Sequence, residues 1–362
     1  MVRSGKSMPS TREELSSYDI HDIHDIHGIH GIHGIHDIHD IHDQMNRILS
    51  ALTLLLLWLP TQSLAETYPS KPIKLVIAFA AGSATDSAGR ILAQELSQQL
   101  GQNVIVENRA GANGQIAAVF VARSTADGYT LFMTTNSTHG ANPHLYSKLA
   151  YDPIKDFEPI ARVGTLPFML VINPELPVNN TAEFIAYAKA RPGGLSYGTA
   201  STASLVGAET INHLAGLDLV RVGYSSSQQA ILDLVAGRLQ VMVADFTTAT
   251  PQVKAGKLRV LAVTTAKHTT LLPEVPPIAE ALAGFDLTSW NGIFAPAGTP
   301  KEIIARLERE ILAILSRAEI RKKFAAIGFE IDPMNTGEFS RYVREQIAYW
   351  GKLVRDAGIP PE

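Results

Sequence analysis

Three loops rich in hydroxyl groups are the segments of this chain best suited to holding a small ligand. Residues 82–86 combine a glycine, two hydroxyls and backbone amides at a predicted helix start, an arrangement that binds a carboxylate without arginine. Residues 134–140 and 197–204 add further hydroxyls, and Asp245 follows another strand. The candidate ligand-binding residues are Gly82, Ser83, Ala84, Thr85, Asp86, Asn136, Ser137, Thr138, His139, Thr199, Ser201, Thr202 and Asp245.

Each of these positions follows a predicted strand, and this shared placement favours a common site. A single hydroxyl-rich loop is usually an ordinary turn. Open α/β sheets, however, bind ligands at the carboxyl ends of their strands. Loops of this kind in two α/β units therefore predict a cleft between the units.

Those units are predicted from short apolar runs that alternate with amphipathic segments, a pattern typical of parallel strands joined by crossover helices. Ile73–Phe79 is a predicted strand, and Asp86 is placed to cap the helix that follows it. The pattern restarts after Pro167, and Thr299–Glu302 resembles a capping box before the first of two long C-terminal helices. We therefore predict a domain 1 of residues 66–167 and 286–362 and a domain 2 of residues 168–285.

Motifs of several enzyme classes are absent from the sequence. It has no G-x-G-x-x-G, no P-loop, no G-x-S-x-G and no H-E-x-x-H motif. Outside an N-terminal repeat, no two histidines have the spacing of metal ligands. We expect no catalytic residue, no cofactor and no metal, although a secreted enzyme with His139 or Asp245 as a base stays open as an alternative.

The first 65 residues differ in character from the rest. From Ile20 to Asp43 a histidine stands at every third position, a period that fits neither a helix face nor a strand face. This tract is either a metal-binding segment or a translated repeat upstream of the true start, and we expect residues 1–44 to be untranslated or disordered. Met45 then opens a signal peptide, residues 45–65, with a short apolar run and a small-residue cleavage site ending at Ala65.

Charge and cysteine content limit the partners and the compartment. Residues 66–362 carry as many basic as acidic side chains, which argues against nucleic acid or an anionic membrane surface as a partner. Since the chain has no cysteine, it cannot be a lipid-anchored lipoprotein. We predict a freely diffusing monomer in the periplasm.

Several longer segments resemble the receptors of tripartite tricarboxylate transporters, the Bug family. The resemblance runs from Tyr68 to the C-terminus and is carried, in order, by YPSKPIKLVIAFAAGSATD, LGQNVIVENRAGANG, DGYTLFMTTNSTHGANPHLY, YDPIKDFEPIARV, VKAGKLRVLAVTTAKH and SWNGIFAPAGTP. It implies a type II periplasmic-binding-protein fold, in which two α/β domains close over a ligand. It also implies an extracytoplasmic receptor that captures a small carboxylate and delivers it to membrane permease subunits.

The family resemblance also assigns roles to the loops. It implies that backbone amides of residues 82–86 hold one ligand carboxylate, that the second and third loops add contacts, and that Asp245 is a common acidic position. The chain departs from the family pattern at Ser83, at Leu205 and at Ser225-Ser226, where a second glycine, a histidine and Lys-Gly are usual. These departures make the distal half of the predicted pocket less polar and less cationic. A ligand-sensing partner of a membrane kinase would use the same pocket and stays an alternative.

Overall fold

The computed structural model of the protein describes Gln44, Met45, Arg47, Leu49 and residues 68–362. The predicted signal peptide and the histidine repeat lie almost entirely outside these residues. Within the described part of the chain, no helix has the length and apolar character needed to cross a membrane.

Residues 68–362 contain one curled, mixed sheet of ten strands. The main order of the strands is β2-β1-β3-β9-β4-β7-β5-β6, with β8 and β10 also paired to β4. The strands are β1 (Ile73–Ile77), β2 (Val104–Asn108), β3 (Thr130–Thr135), β4 (Phe157–Ile172), β5 (Ser196–Thr199), β6 (Val220–Gly223), β7 (Val241–Asp245), β8 (Arg259–Val263), β9 (Thr288–Pro296) and β10 (Glu330–Met334).

Helices follow most of the strands and cover the sheet. They are α1 (Ala84–Leu100), α2 (Gln115–Ala122), α3 (Asn142–Leu145), α4 (Thr181–Lys189), α5 (Thr202–Ala215), α6 (Ser227–Val235), α7 (Phe246–Lys254), α8 (Lys301–Ser316), α9 (Ala318–Ala326) and α10 (Thr336–Asp356). A π-helical turn, Ser137–Ala141, lies between β3 and α3.

Strand β4 passes through both halves of the sheet, which we call the first lobe (β1, β2, β3, β9 and β10) and the second lobe (β5, β6, β7 and β8). Its first part, residues 157–167, pairs antiparallel with β9 in the first lobe. Its last part, residues 168–172, pairs antiparallel with β7 and β8 in the second lobe. The parallel strands lie on either side, with β1 between β2 and β3, and β5 between β6 and β7.

Three details of the predicted elements are corrected by the structure. The sheet is mixed rather than parallel, because β4 and β9 insert antiparallel strands between the two parallel sets. Helix α1 begins at Ala84 with Ser83 as its N-cap, so Asp86 lies inside the first turn instead of capping it. The hydroxyl of Thr299 donates to the carbonyl of Pro296 and does not cap α8.

Apolar side chains from both lobes form the core. One large cluster contains β1 residues such as Leu75, β4 residues such as Leu170, and the buried stripe of α8 that includes Leu307 and Ile311. The long helix α10 buries Trp350 in the same cluster. Packing on both faces of a shared strand fixes the positions of the loops at the strand ends.

Candidate functional site

A cavity of about 510 Å³, including the part open to solvent, lies where the two lobes meet. The residues that line it are Phe79, Ala80, Ser83, Ala84, Thr85, Thr135, Asn136, Ser137, Leu166, Phe168, Ala200, Ser201, Ala203, Ser225, Ser226, Ser227, Gln228, Asp245 and Ser289.

The first loop offers two free backbone amides to the cavity. The amide of Ser83 donates to Ala80 O (3.1 Å), and the amide of Asp86 donates to Ser83 Oγ (3.2 Å). The amides of Ala84 and Thr85 come between them in the first turn of α1, where helix geometry provides no acceptor. Because both residues line the cavity, this helix start can hold an anion through N–H donors and the positive end of its dipole.

Asp86 shapes this loop from behind and does not line the cavity. Its carboxylate accepts hydrogen bonds from Gly82 N (2.8 Å), Arg90 Nε (2.9 Å) and Asn108 Nδ2 (2.8 Å). Burial raises the pKa of Asp86, but the bonds from Arg90, Gly82 and Asn108 outweigh burial and lower that pKa overall. The predicted pair Gly82 and Asp86 therefore bond to each other, with Gly82 in the left-handed region at φ 80°.

Only half of the predicted residues in the second loop face the cavity. Asn136 and Ser137 line it, whereas Thr138 and His139 do not. Asn136 is fully buried and accepts a hydrogen bond from Ser289 Oγ, while its Nδ2 has no partner among the described residues. Since buried polar groups are nearly always bonded, this free donor points to a ligand.

His139 is turned into the core of the first lobe. Its ring stacks on Phe294, with the centroids 4.0 Å apart, and Nδ1 is 2.8 Å from Thr138 Oγ1. Burial lowers the pKa of His139 to about 3, so the ring is neutral at physiological pH. Neither Thr138 nor His139 reaches the space in which a ligand would lie.

The third loop contributes two residues to the cavity lining, the N-cap of α5 and one residue of its first turn. Ser201 caps α5 by accepting from Ser204 N (3.2 Å), and both Ser201 and Ala203 line the cavity. Thr199 and Thr202 do not line it. Thr202 is fully buried, and its Oγ1 has no partner within residues 68–362.

A fourth loop, residues 225–228, was not among the predicted site residues. Ser226 caps α6 by accepting from Gln229 N (3.3 Å), and all four residues line the cavity. The sequence contained a usable signal, since this serine run directly follows β6, as the other loops follow their strands.

Asp245 lies at the end of β7 and lines the cavity from the second lobe. It caps α7, accepting from Thr248 N (2.9 Å) and Thr248 Oγ1 (2.9 Å). Burial raises the pKa of Asp245, and the hydrogen bonds from Thr248 and Ser227 offset this only in part. No arginine or lysine bonds to this carboxylate among the contacts of the described residues.

Four helix starts therefore meet at one cavity whose described lining contains no lysine, arginine or histidine. The cap residues Ser83, Ser201, Ser226 and Asp245 all belong to that lining. An anion bound here would be held by amides, hydroxyls and helix dipoles without a cationic side chain. The geometry suits capture of an anion, and the described lining contains no histidine that could act as a base on a neighbouring hydroxyl.

Comparison with known proteins also indicates a receptor for a small ligand. Residues 88–359 match the family model for the tripartite tricarboxylate transporter family receptor. A UPF0065 protein of Bordetella bronchiseptica is 38% identical over 320 residues, which cover 87% of this chain and 93% of that protein. The resemblance found from the sequence motifs is thus confirmed, and so is the prediction of a receptor that is not an enzyme.

Two solved structures are also similar over most of the chain. An R. palustris protein in a structure with adipate is 35% identical, with a TM-score of 0.79, and the match covers 82% of this chain and all of that one. MatC of Rhodopseudomonas palustris, with bound malate, is 30% identical, with a TM-score of 0.74, and the match covers 79% and 100%. The predicted two-domain α/β fold of periplasmic binding proteins is confirmed.

Proposed function

The chain belongs to the tripartite tricarboxylate transporter receptor family, and on that premise we propose that it captures a small carboxylate in the cleft between its lobes. The observation that carries the proposal is the meeting of three serine-capped helix starts at one cavity whose described lining contains no cationic side chain. A carboxylate fits such a site because N–H donors and helix dipoles stabilise negative charge. Relatives of known structure hold adipate and malate, which belong to this class.

One ligand carboxylate is assigned to the amides of Ala84 and Thr85, with the side chains of Ser83, Asn136 and Ser137 beside it. Ser201 and Asp245 contact the ligand from the second lobe. Gly82, Asp86, Thr138, His139, Thr199 and Thr202 act indirectly, because they lie behind the lining or outside it. The receptor then delivers its ligand, as a monomer, to the membrane permease subunits of a tripartite tricarboxylate-type transporter.

Closure of the two lobes traps the ligand. The chain crosses twice between the proposed domain 1 (66–167 and 286–362) and the proposed domain 2 (168–285). The first crossing lies in β4, between Pro167 and Phe168. The second lies near Asp286, just before β9. Both crossings are short, which suits a hinge motion. We expect small-angle scattering to give a smaller radius of gyration with ligand than without, and an unchanged radius at saturating ligand would contradict closure.

The test of the function is calorimetry of the purified protein against a panel of mono-, di- and tricarboxylates. At least one acid should bind and be recovered unchanged after prolonged incubation. Loss of the acid with formation of a product would instead support an enzyme. Native mass spectrometry of protein purified from cells would identify any acid that stays bound.

Export requires a separate experiment. We propose that residues 45–65 direct the protein to the periplasm and that residues 1–44 are dispensable. A gene that starts at Met45 should yield periplasmic protein whose N-terminal sequence begins at Glu66. Recovery of the histidine repeat on exported protein would contradict this.

A further inference from the structure

A second pocket, the side pocket, adjoins the proposed ligand cavity between the two lobes. It has a volume of about 420 Å³, including the part open to solvent, and it shares Ala200 and Ser201 with the lining of the cavity. Asn113 lines it from the first lobe, and Arg221 and Tyr224 line it from the second. Because the side pocket is open to solvent and meets the cavity, it provides a route by which an anion can enter.

Arg221 is the one charged residue in the described lining of the side pocket. It lies on the edge strand β6, and its side chain is 44% exposed. Its guanidinium makes no hydrogen bond to another residue within 68–362, and its ion-pair partner, Glu362, is 3.9 Å away and 66% exposed. Since exposed pairs of this kind are weak, the guanidinium is available to an anion from solvent.

The cavity itself can attract an anion only at short range. Its described lining contains no cationic side chain, and the field of a helix start falls off within about one turn. Asp245 adds a carboxylate to that lining. Residues 66–362 carry as many basic as acidic side chains, so net charge does not attract anions either. A cation beside the route of entry supplies the long-range attraction that the cavity lacks.

Glu362 approaches Arg221 from the other lobe. Its amide donates to the carbonyl of Leu145 (2.8 Å), and its own carbonyl accepts from the amide of Ser147 (2.9 Å). These bonds hold Glu362 on the first lobe, whereas Arg221 belongs to the second. The ion pair therefore crosses the cleft, and it gives the guanidinium a partner when the lobes are together.

We infer that Arg221 is an encounter site for the ligand, which attracts the carboxylate anion into the cleft and does not hold it in the final complex. This inference rests on the proposed function and adds a route of entry to it. Once the ligand has moved into the cavity, Glu362 replaces it beside Arg221. The association rate, rather than the dissociation rate, should therefore depend on Arg221.

Stopped-flow tryptophan fluorescence of the purified protein with adipate, or with malate if adipate does not bind, tests the inference. Trp290 directly follows Ser289 of the cavity lining and serves as the reporter. Arg221→Gln should lower the association rate constant at least about threefold at about 0.01 M salt and change the dissociation rate constant less than about twofold. The difference in association should vanish by about 1 M salt, where the Debye length is only about 3 Å.

Two further variants serve as controls. Arg191→Gln removes the same charge from another exposed arginine of the second lobe. Arg191 precedes β5, at the end of the strand opposite to the cavity, so this variant should leave both rate constants unchanged. Arg221→Lys keeps the charge and should associate nearly as fast as the unaltered protein.

Glu362→Gln separates steering from a structural ion pair. If Arg221 is an encounter site, this variant should associate as fast as the unaltered protein or faster, because a competing anion is removed. Equal slowing of association in Arg221→Gln and Glu362→Gln would overturn the inference. An effect of Arg221→Gln that persists at high salt, or that lies mainly in dissociation, would also overturn it.

Two outcomes are read without a folded Arg221→Gln protein. Association of the unaltered protein should slow as salt is added, and an association rate independent of salt would overturn the inference. If neither adipate nor malate binds, the inference falls, whereas the proposed function falls only if every acid of the carboxylate panel fails to bind.

Discussion

Asp86 and Asp245 are two buried carboxylates at helix starts beside one cavity, yet their surroundings differ. Asp86 bonds to the Arg90 guanidinium, whereas the bonds to Asp245 come from hydroxyls and a backbone amide. The pKa of Asp86 is accordingly lowered, while burial raises that of Asp245. A cation placed behind the first loop holds that loop in shape without entering the cavity. In the second lobe the carboxylate itself lines the cavity.

The largest expected effect comes from placing a negative charge on the first loop. Ser83→Asp should abolish ligand binding, because like charges about 4 Å apart at an effective dielectric of about 20 repel by about 4 kcal/mol, or almost three decades of affinity. Aspartate is as good an N-cap as serine, so α1 should stay folded. Calorimetry of the Ser83→Asp protein should then register no heat of binding with any acid that the unaltered protein binds.

The control for this variant is Ser83→Ala. Ser83 is partly buried and caps α1, so alanine should lower the free energy of unfolding by about 1 kcal/mol. It should still bind the acid within a few-fold of the unaltered protein, since the backbone makes the contact. Normal binding by a folded Ser83→Asp protein would place the carboxylate elsewhere.

Removal of the Asp86 carboxylate should lower stability next most strongly. Asp86→Ala leaves Gly82 N and Asn108 Nδ2 without their acceptor and Arg90 without its ion pair. Since hydrogen bonds to a charged group each contribute about 1.5–3 kcal/mol, we expect a loss of about 3 kcal/mol in urea unfolding. Arg90→Gln should cost less than about 1 kcal/mol, because Arg90 is half exposed. Equal losses in the two variants would show that the ion pair, and not the bonds within the loop, dominates.

A variant at His139 tests whether this residue of the second loop acts in the core or in ligand binding. Its pKa falls from 6.5 to about 3 on folding, so the unfolded state binds more protons between these values. The contribution of the neutral His139 ring to the free energy of unfolding should therefore be complete above pH 6.5. It should decline below that pH, by about 2 kcal/mol at pH 5. His139→Phe should lose this slope in unfolding measurements from pH 7 to pH 5. A changed ligand affinity in that variant at pH 7 would contradict the assignment of His139 to the core.

The smallest expected change in stability is at Asp245. Removal of its negative charge should raise the free energy of unfolding at pH 7, whereas removal of the Asp86 carboxylate should lower it. Because the folded pKa of Asp245 is raised, its contribution to stability is complete below the unfolded value near 3.9 and is lost as the pH rises through the folded value. Asn is an equally good N-cap, so Asp245→Asn should be more stable than the unaltered protein at pH 7, by on the order of 1 kcal/mol.

This advantage of Asp245→Asn should shrink as the pH falls towards the ordinary aspartate pKa of 3.8, because the raised pKa of Asp245 favours the protonated carboxyl in the folded protein. Unfolding free energies measured at intervals between these pH values give the comparison directly. An advantage that grew as the pH fell would mean that the pKa of Asp245 is lowered, as it is for Asp86, and would remove the contrast between the two sites.

Much of the site could be predicted from sequence because strand ends are local features. An apolar run followed by glycine and hydroxyls marks the loop at residues 82–86 without knowledge of any partner, and the same pattern marks Asn136 and Ser201. The apolar stripes of α8 and α10 likewise show their buried faces at helical spacing. The order of several long motifs was enough to predict the family and, with it, the two-domain fold.

The direction of each side chain depended on contacts between distant segments. Thr138 and His139 do not line the cavity, because the π-helical turn places the ring of His139 against Phe294 in β9. Phe294 lies more than 150 residues away along the chain. Asp86 turns inward because Arg90 and Asn108 meet it there, and Gln228 faces Gly82 only because the second lobe closes over the first. Local sequence patterns fix which groups a loop carries, but the packing of the lobes decides which of those groups a ligand can reach.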